Sequence, residues 1–130
     1  ILGTNSAKVI FKVHAMDLAV DKQKNLYLID SSNSAILRLR SGKNEYEVVV
    51  SNLSYPTAVF VDGNDFIYVV ESYQSQVSKY DQAGQKIWSL TGNSFGSVDR
   101  TSWAPTHVFV DDAGAVYIAH RGGLVLRWLP

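Results

Sequence analysis

Tyr55–Tyr80 reads YPTAVFVDGNDFIYVVESYQSQVSKY, and its pattern occurs three times in the chain. His14–Leu39 reads HAMDLAVDKQKNLYLIDSSNSAILRL, and Ala104–Trp128 reads APTHVFVDDAGAVYIAHRGGLVLRW. The pairs Val20-Asp21, Val61-Asp62 and Val110-Asp111 anchor the three copies. A tyrosine follows each valine at the same distance, as Tyr27, Tyr68 and Tyr117. A basic residue then precedes a large apolar one: Arg38-Leu39, Lys79-Tyr80 and Arg127-Trp128. Asp21 and Asp62 are 41 residues apart, Asp62 and Asp111 are 49. The extra length falls in Gly92–Trp103, a polar, glycine-bearing stretch that reads as a loop.

Within each copy, short β-branched and aromatic runs alternate with turn residues, and no helical period is sustained. Strands are expected over Asp17–Val20, Leu26–Asp30, Ala35–Arg40 and Tyr46–Val50. In the second copy they are expected over Ala58–Val61, Phe66–Glu71, Gln76–Asp81 and Lys86–Leu90. Asp62-Gly63-Asn64-Asp65 and Asp111-Asp112-Ala113-Gly114 carry hairpin-turn chemistry, and Lys22-Gln23-Lys24-Asn25 takes the same place in the first copy. Four-stranded units at this period are blades of an all-β propeller. A single β-sandwich does not call for a Val-Asp-then-Tyr repeat.

The reading divides the chain into an outer strand within 1–13, blade one over 14–54, blade two over 55–103, and the first three strands of blade three over 104–130. Lys8–Val13, KVIFKV, is a strand lying before the first repeat. Three blades are fewer than the roughly four a ring needs. The missing part is expected from a second copy of the chain or from the remainder of a longer propeller. In the first case each N-terminal strand completes the other chain's last blade.

The 130 residues carry 12 basic and 12 acidic side chains, so the formal net charge is zero. A neutral chain lacks the cationic field that draws nucleic acid, which is therefore not an expected partner. No apolar run is long enough to span a bilayer as a helix. The absence of cysteine removes disulfides, thiolate metal sites and cysteine nucleophiles. An Ile1 start and the sequon Asn52-Leu53-Ser54 favour an extracellular location.

Tyr55-Pro56-Thr57-Ala58-Val59-Phe60-Val61-Asp62, then Ile67-Tyr68-Val69-Val70-Glu71 and Val77-Ser78-Lys79-Tyr80, resemble the NHL repeat. Ala104–Asp111 with Val116–His120 does so as well. The resemblance covers nearly the whole chain and implies half of a six-bladed propeller. It departs from the family where a glycine is expected: Asp17, Ala58 and His107 stand there. The acidic residue closing the second strand is Asp30 and Glu71, but His120 in the third copy.

Propeller ligands bind where inner strands begin and second strands end. That places Asp17, Glu71, His107, His120 and Arg121 among the candidate ligand-binding residues, with Trp103 at the end of the long loop. His107 and His120 are expected to approach each other across an antiparallel pair. With Asp17 and Glu71 they offer ligand types suited to zinc or calcium, without a recognised spacing; no cofactor is predicted. The alternative is that these side chains bond neighbouring blade backbones. Tyr27, Tyr68 and Tyr117 are expected to pack between blades.

One NHL enzyme, the peptidyl-hydroxyglycine amidating lyase, carries metal histidines directly after the inner-strand proline. Here Thr57 and Thr106 follow the prolines, Met16 stands there in the first copy, and only His120-Arg121-Gly122 resembles that lyase. No serine elbow, phosphate loop or dinucleotide motif occurs. The expected function is a binding module or scaffold for a protein, peptide or glycan at the rim or channel mouth. A structural repeat protein and a metal-assisted lyase or hydrolase are the alternatives.

Overall fold

The computed structural model describes residues 6–10, 12–72, 74–95 and 104–130. Among the described residues, eleven strands form three antiparallel sheets. The first contains β1 (Ala15–Val20), β2 (Leu26–Asp30), β3 (Ala35–Leu39) and β4 (Tyr46–Val50) in chain order. The second contains β5 (Pro56–Val61), β6 (Ile67–Glu71), β7 (Gln76–Tyr80) and β8 (Lys86–Leu90). The third contains β9 (Pro105–Val110), β10 (Val116–His120) and β11 (Leu124–Trp128), with β11 at its edge. The inner strands lie side by side, β1 against β5 and β5 against β9, so the sheets are arranged as propeller blades. No helix among the described residues is long and apolar enough to cross a membrane.

Burial follows from this stacking. Val69 and Val70 of blade two are both buried, because that blade is covered on both faces. Outer strand β4 is exposed over its first three residues. Tyr27, Ile29 and Ile36 of blade one pack with Val59, Val61, Ile67 and Val69 of blade two. Ala58, Tyr68, Val70 and Val77 on the other face of blade two pack with Val108, Val110, Val116 and Ile118 of blade three. Each fully buried aliphatic side chain here contributes about 1.5–3 kcal/mol. Trp88 and Trp128 meet edge-on at 4.9 Å across the second junction. At the first, Gly84 lies where a Cβ would overlap the Val49 carbonyl oxygen, and its φ of +85° also requires glycine.

Two sequence expectations change. The described residues of the stretch 8–13, which are 8–10, 12 and 13, join no ladder, and a strand needs a hydrogen-bonded partner. Val13 instead packs on Leu28, Ala35 and Leu37 of blade one. Each inner strand also begins with a bulge. Pairing runs Ala15 to Asp30 then Leu18 to Leu28, Pro56 to Glu71 then Ala58 to Val70, and Pro105 to His120 then His107 to Ala119. One extra residue per inner strand re-aims the side chains at the rim.

Candidate functional site

The blades have two edges with different chemistry. At the lower edge the first and second strands of each blade are joined by the same turn. The Asp62 carboxylate accepts from the backbone N–H groups of Asn64 (2.9 Å) and Phe66 (3.0 Å) and from the Tyr68 hydroxyl (2.7 Å). Asp111 does the same with Ala113, Ala115 and Tyr117. In blade one Asp21 accepts from Gln23 and Asn25, and the Asn25 amide replaces the tyrosine hydroxyl. Asp81 caps the turn from β7 to β8 through Ala83 and Gln85. The Val-Asp-then-Tyr repeat is thus a turn device.

The residue three after each of these aspartates is left-handed: Lys24, Asp65, Gly84 and Gly114. Sequence reading placed a glycine at the tip of the blade-two turn, but Gly63 is not the strained position; Asp65 is, at φ 66°. Burial pushes the Tyr68 hydroxyl above its usual range, and its bond to Asp62 adds to this. The backbone N–H of Ala115 holds the Asp111 carboxyl below the usual range.

The upper rim carries the starts of the inner strands and the ends of the second strands. Asp17 spends its oxygens on the backbone N–H groups of Leu18 (2.9 Å) and Val59 (3.0 Å), tying blade one to blade two. Asp30 accepts from the N–H groups of Ser32 and Asn33 and the Asn33 amide. Glu71 is buried and accepts from the Ser54 N–H (2.8 Å) and the Gln76 amide (3.0 Å). Burial pushes the neighbouring Tyr80 hydroxyl up to about 12, and the Glu71 charge contributes.

His120 is buried at the place of these carboxylates. The Ala104 N–H points at its Nε2 (2.8 Å) and the Gly122 N–H at its Nδ1 (2.9 Å). A neutral imidazole carries a hydrogen on one ring nitrogen, so it accepts at only one of the two.

The expected meeting of His107 and His120 does not occur. The regular register sets His107 opposite Ala119, and beyond the bulged Thr106 it is Pro105 that stands opposite His120. His107 is exposed with Phe109, whereas His120 is buried with Val116 and Ile118, on the other face of the sheet. The threonines after the prolines bond locally, Thr57 to the Ser72 hydroxyl and Thr106 to the Ala119 carbonyl. Among the described residues no three His, Asp or Glu side chains converge as metal ligands. Arg121 is exposed in the turn after β10. Trp103 lies outside the described residues.

A residue that the sequence reading passed over stands out instead. Tyr55 is left-handed, at φ 55°, and 60 % exposed. A bulky side chain in that region costs about 1–2 kcal/mol. His14 and Ala104, its equivalents, are not left-handed. All three carbonyls accept in the same clasp: His14 from the Ser31 N–H, Tyr55 from the Ser72 N–H and Ala104 from the Arg121 N–H. Tyr55 and Pro56 border an open depression of about 250 Å³ together with Met16, Ser31 and Ser34. An aromatic ring just before an inner-strand proline was the available signal.

No protein-family model and no curated protein sequence matches the chain. Solved β-propeller structures do. YCF48 bound to D1 peptide superposes with a TM-score of 0.71 at 11 % identity, over 87 % of this chain and 36 % of that one. A gluconolactonase from Xanthomonas campestris gives 0.65 at 19 % identity, over 80 % and 34 %. Virginiamycin B lyase from Staphylococcus aureus gives 0.62 at 10 %, over 85 % and 39 %. At these identities the likeness shows the fold. The chain spans between a third and two fifths of these neighbours' lengths.

Proposed function

We propose that the chain is an NHL-like propeller segment that binds an extended peptide or protein segment at its upper rim, around Tyr55. The observation that carries this is the strained, exposed Tyr55 beside exposed Met16. Backbone strain at a solvent-facing aromatic does nothing for the core, and strain of this kind gathers at ligand sites. The ring offers a large, rigid contact surface, and Ser31 and Ser34 supply hydroxyls around it. YCF48, which superposes on this chain, is a peptide-bound propeller. The metal-assisted alternative has less to stand on, since His107 and His120 face apart and both ring nitrogens of His120 meet backbone N–H groups.

The test is a peptide array followed by solution titration with wild-type chain and Tyr55→Gly. Glycine takes φ 55° without strain, so this variant is expected to gain about 1 kcal/mol of stability. It is expected to lose at least tenfold in peptide affinity. Equal affinity of the two proteins, or binding of glycans alone, would overturn the reading.

A further inference from the structure

The position paired with the end of each second strand is apolar in blades one and three and polar in blade two. Ala35 pairs with Asp30, Leu124 with His120, and Gln76 with Glu71. The fold itself therefore asks for no amide where Gln76 stands. Gln76 borders an open cleft of about 380 Å³ at the internal junction of blades one and two. Val49 and Val50 of β4 form one wall, and Gln76, Tyr80 and Lys86 form the other.

The hydrogen bonds decide which way the amides point. Glu71 is 3 % exposed, and its carboxylate only accepts, so the Gln76 nitrogen must face it, at 3.0 Å. The second hydrogen of that nitrogen goes to Gln74 Oε1 at 2.8 Å. Both Gln76 hydrogens are thereby spent. Gln76 Oε1, an acceptor, and the Gln74 NH₂ group, a donor, have no partner among the described residues. The same holds for hydrogen-bond and ion-pair partners of the Asn52 side-chain amide and the Lys86 ammonium, which border the same cleft.

A donor beside an acceptor suits a hydroxyl, which gives and takes a hydrogen bond through one oxygen. Neighbouring hydroxyls on the same molecule can then meet Asn52 and Lys86. The cleft lies near the small end of the roughly 300–1,000 Å³ typical of ligand sites, which limits the occupant to one or two rings. Tyr80 is buried and offers no open ring face, so an aromatic ligand finds nothing to stack on. Lys86 and Glu71 together leave the cleft without net charge, which favours a neutral occupant.

We propose that this cleft is a second ligand site, separate from the Tyr55 rim, which takes a neutral mono- or disaccharide through Gln74 and Gln76. Glu71 acts there as the anchor that orients the two amides.

The test is a magnetic-resonance titration of the isotope-labelled chain with glucose, galactose, mannose and N-acetylglucosamine up to tens of millimolar. Saturable shifts of the Gln74 and Gln76 side-chain amide signals are expected with at least one of these sugars. No saturable shift with any of them overturns the proposal, as do shifts confined to other residues. Gln74→Ala removes the outward donor from an exposed side chain and leaves the bond between Gln76 and Glu71 in place. It is expected to weaken sugar binding about fivefold with an unchanged unfolding midpoint. Gln76→Leu introduces the residue that blade three carries at this position and is expected to abolish binding. Unchanged affinity in Gln74→Ala refutes the proposal even if Gln76→Leu fails to fold. The rim reading is tested by peptide titration at Tyr55, so either proposal can fail without the other.

Discussion

The lower edge and the upper rim of these blades are made from the same strands, yet they differ in uniformity. At the lower edge Asp21, Asp62, Asp81 and Asp111 cap their turns through the same two backbone donors. At the rim the equivalent place is filled by Asp30, Glu71 and His120, and each finds a different set of donors. A strand-to-strand turn that must close in the same way in every blade admits one solution. The rim has to meet only a local backbone, so it tolerates different side chains and carries strain at Tyr55. The repeated motif therefore marks architecture, and the departures from it mark where a ligand can be read.

If that contrast holds, the largest effect of a single polar substitution belongs to the lower edge. Asp62→Ala removes the acceptor of two backbone N–H groups and of the buried Tyr68 hydroxyl. We expect a loss of about 3 kcal/mol in urea unfolding, with an unchanged slope. A loss below about 1 kcal/mol would show that the turn closes without its cap.

The rim is expected to respond in the opposite direction. His120→Glu gives the Ala104 and Gly122 N–H groups an acceptor that takes both at once, as Glu71 takes the Ser54 N–H and the Gln76 amide. A gain of about 1 kcal/mol is expected by the same measurement. Destabilisation by that variant would mean that the imidazole makes a specific contribution the carboxylate cannot copy.

A smaller effect separates strain from capping within one turn. Asp65 is left-handed, and its Oδ1 is buried without a partner among the described residues. Asp65→Gly is expected to gain up to about 1 kcal/mol, and Lys24→Gly, at the same position in blade one, about 0.5 kcal/mol. Equal gains would assign the whole effect to backbone strain and none to the orphaned oxygen.

The strands were legible because their signal is local. Leu26–Asp30, Tyr46–Val50 and Lys86–Leu90 have the bounds that their β-branched runs and flanking turns suggest. The candidate site was legible only in part. Asp17, Glu71 and His120 do lie at the rim, but as partners of backbone N–H groups. His107 and His120 were misplaced relative to each other because the ladder pairs His107 with Ala119, so strand alternation turns the two imidazoles to opposite faces, and composition does not announce a register. The stretch 8–13 has a strand's sequence, yet its described residues join no ladder, because pairing depends on a neighbour.

The sequence by itself determined the repeat, the strand positions, the four-stranded unit and the capping aspartates' spacing, all of which depend on residues close together in the chain. Only the tertiary structure decided which side chains the bulges aim inward. It also decided that Tyr55 is left-handed and exposed, whereas its equivalents His14 and Ala104 are not left-handed. Those properties arise from the packing of one blade on the next, and no segment carries them alone.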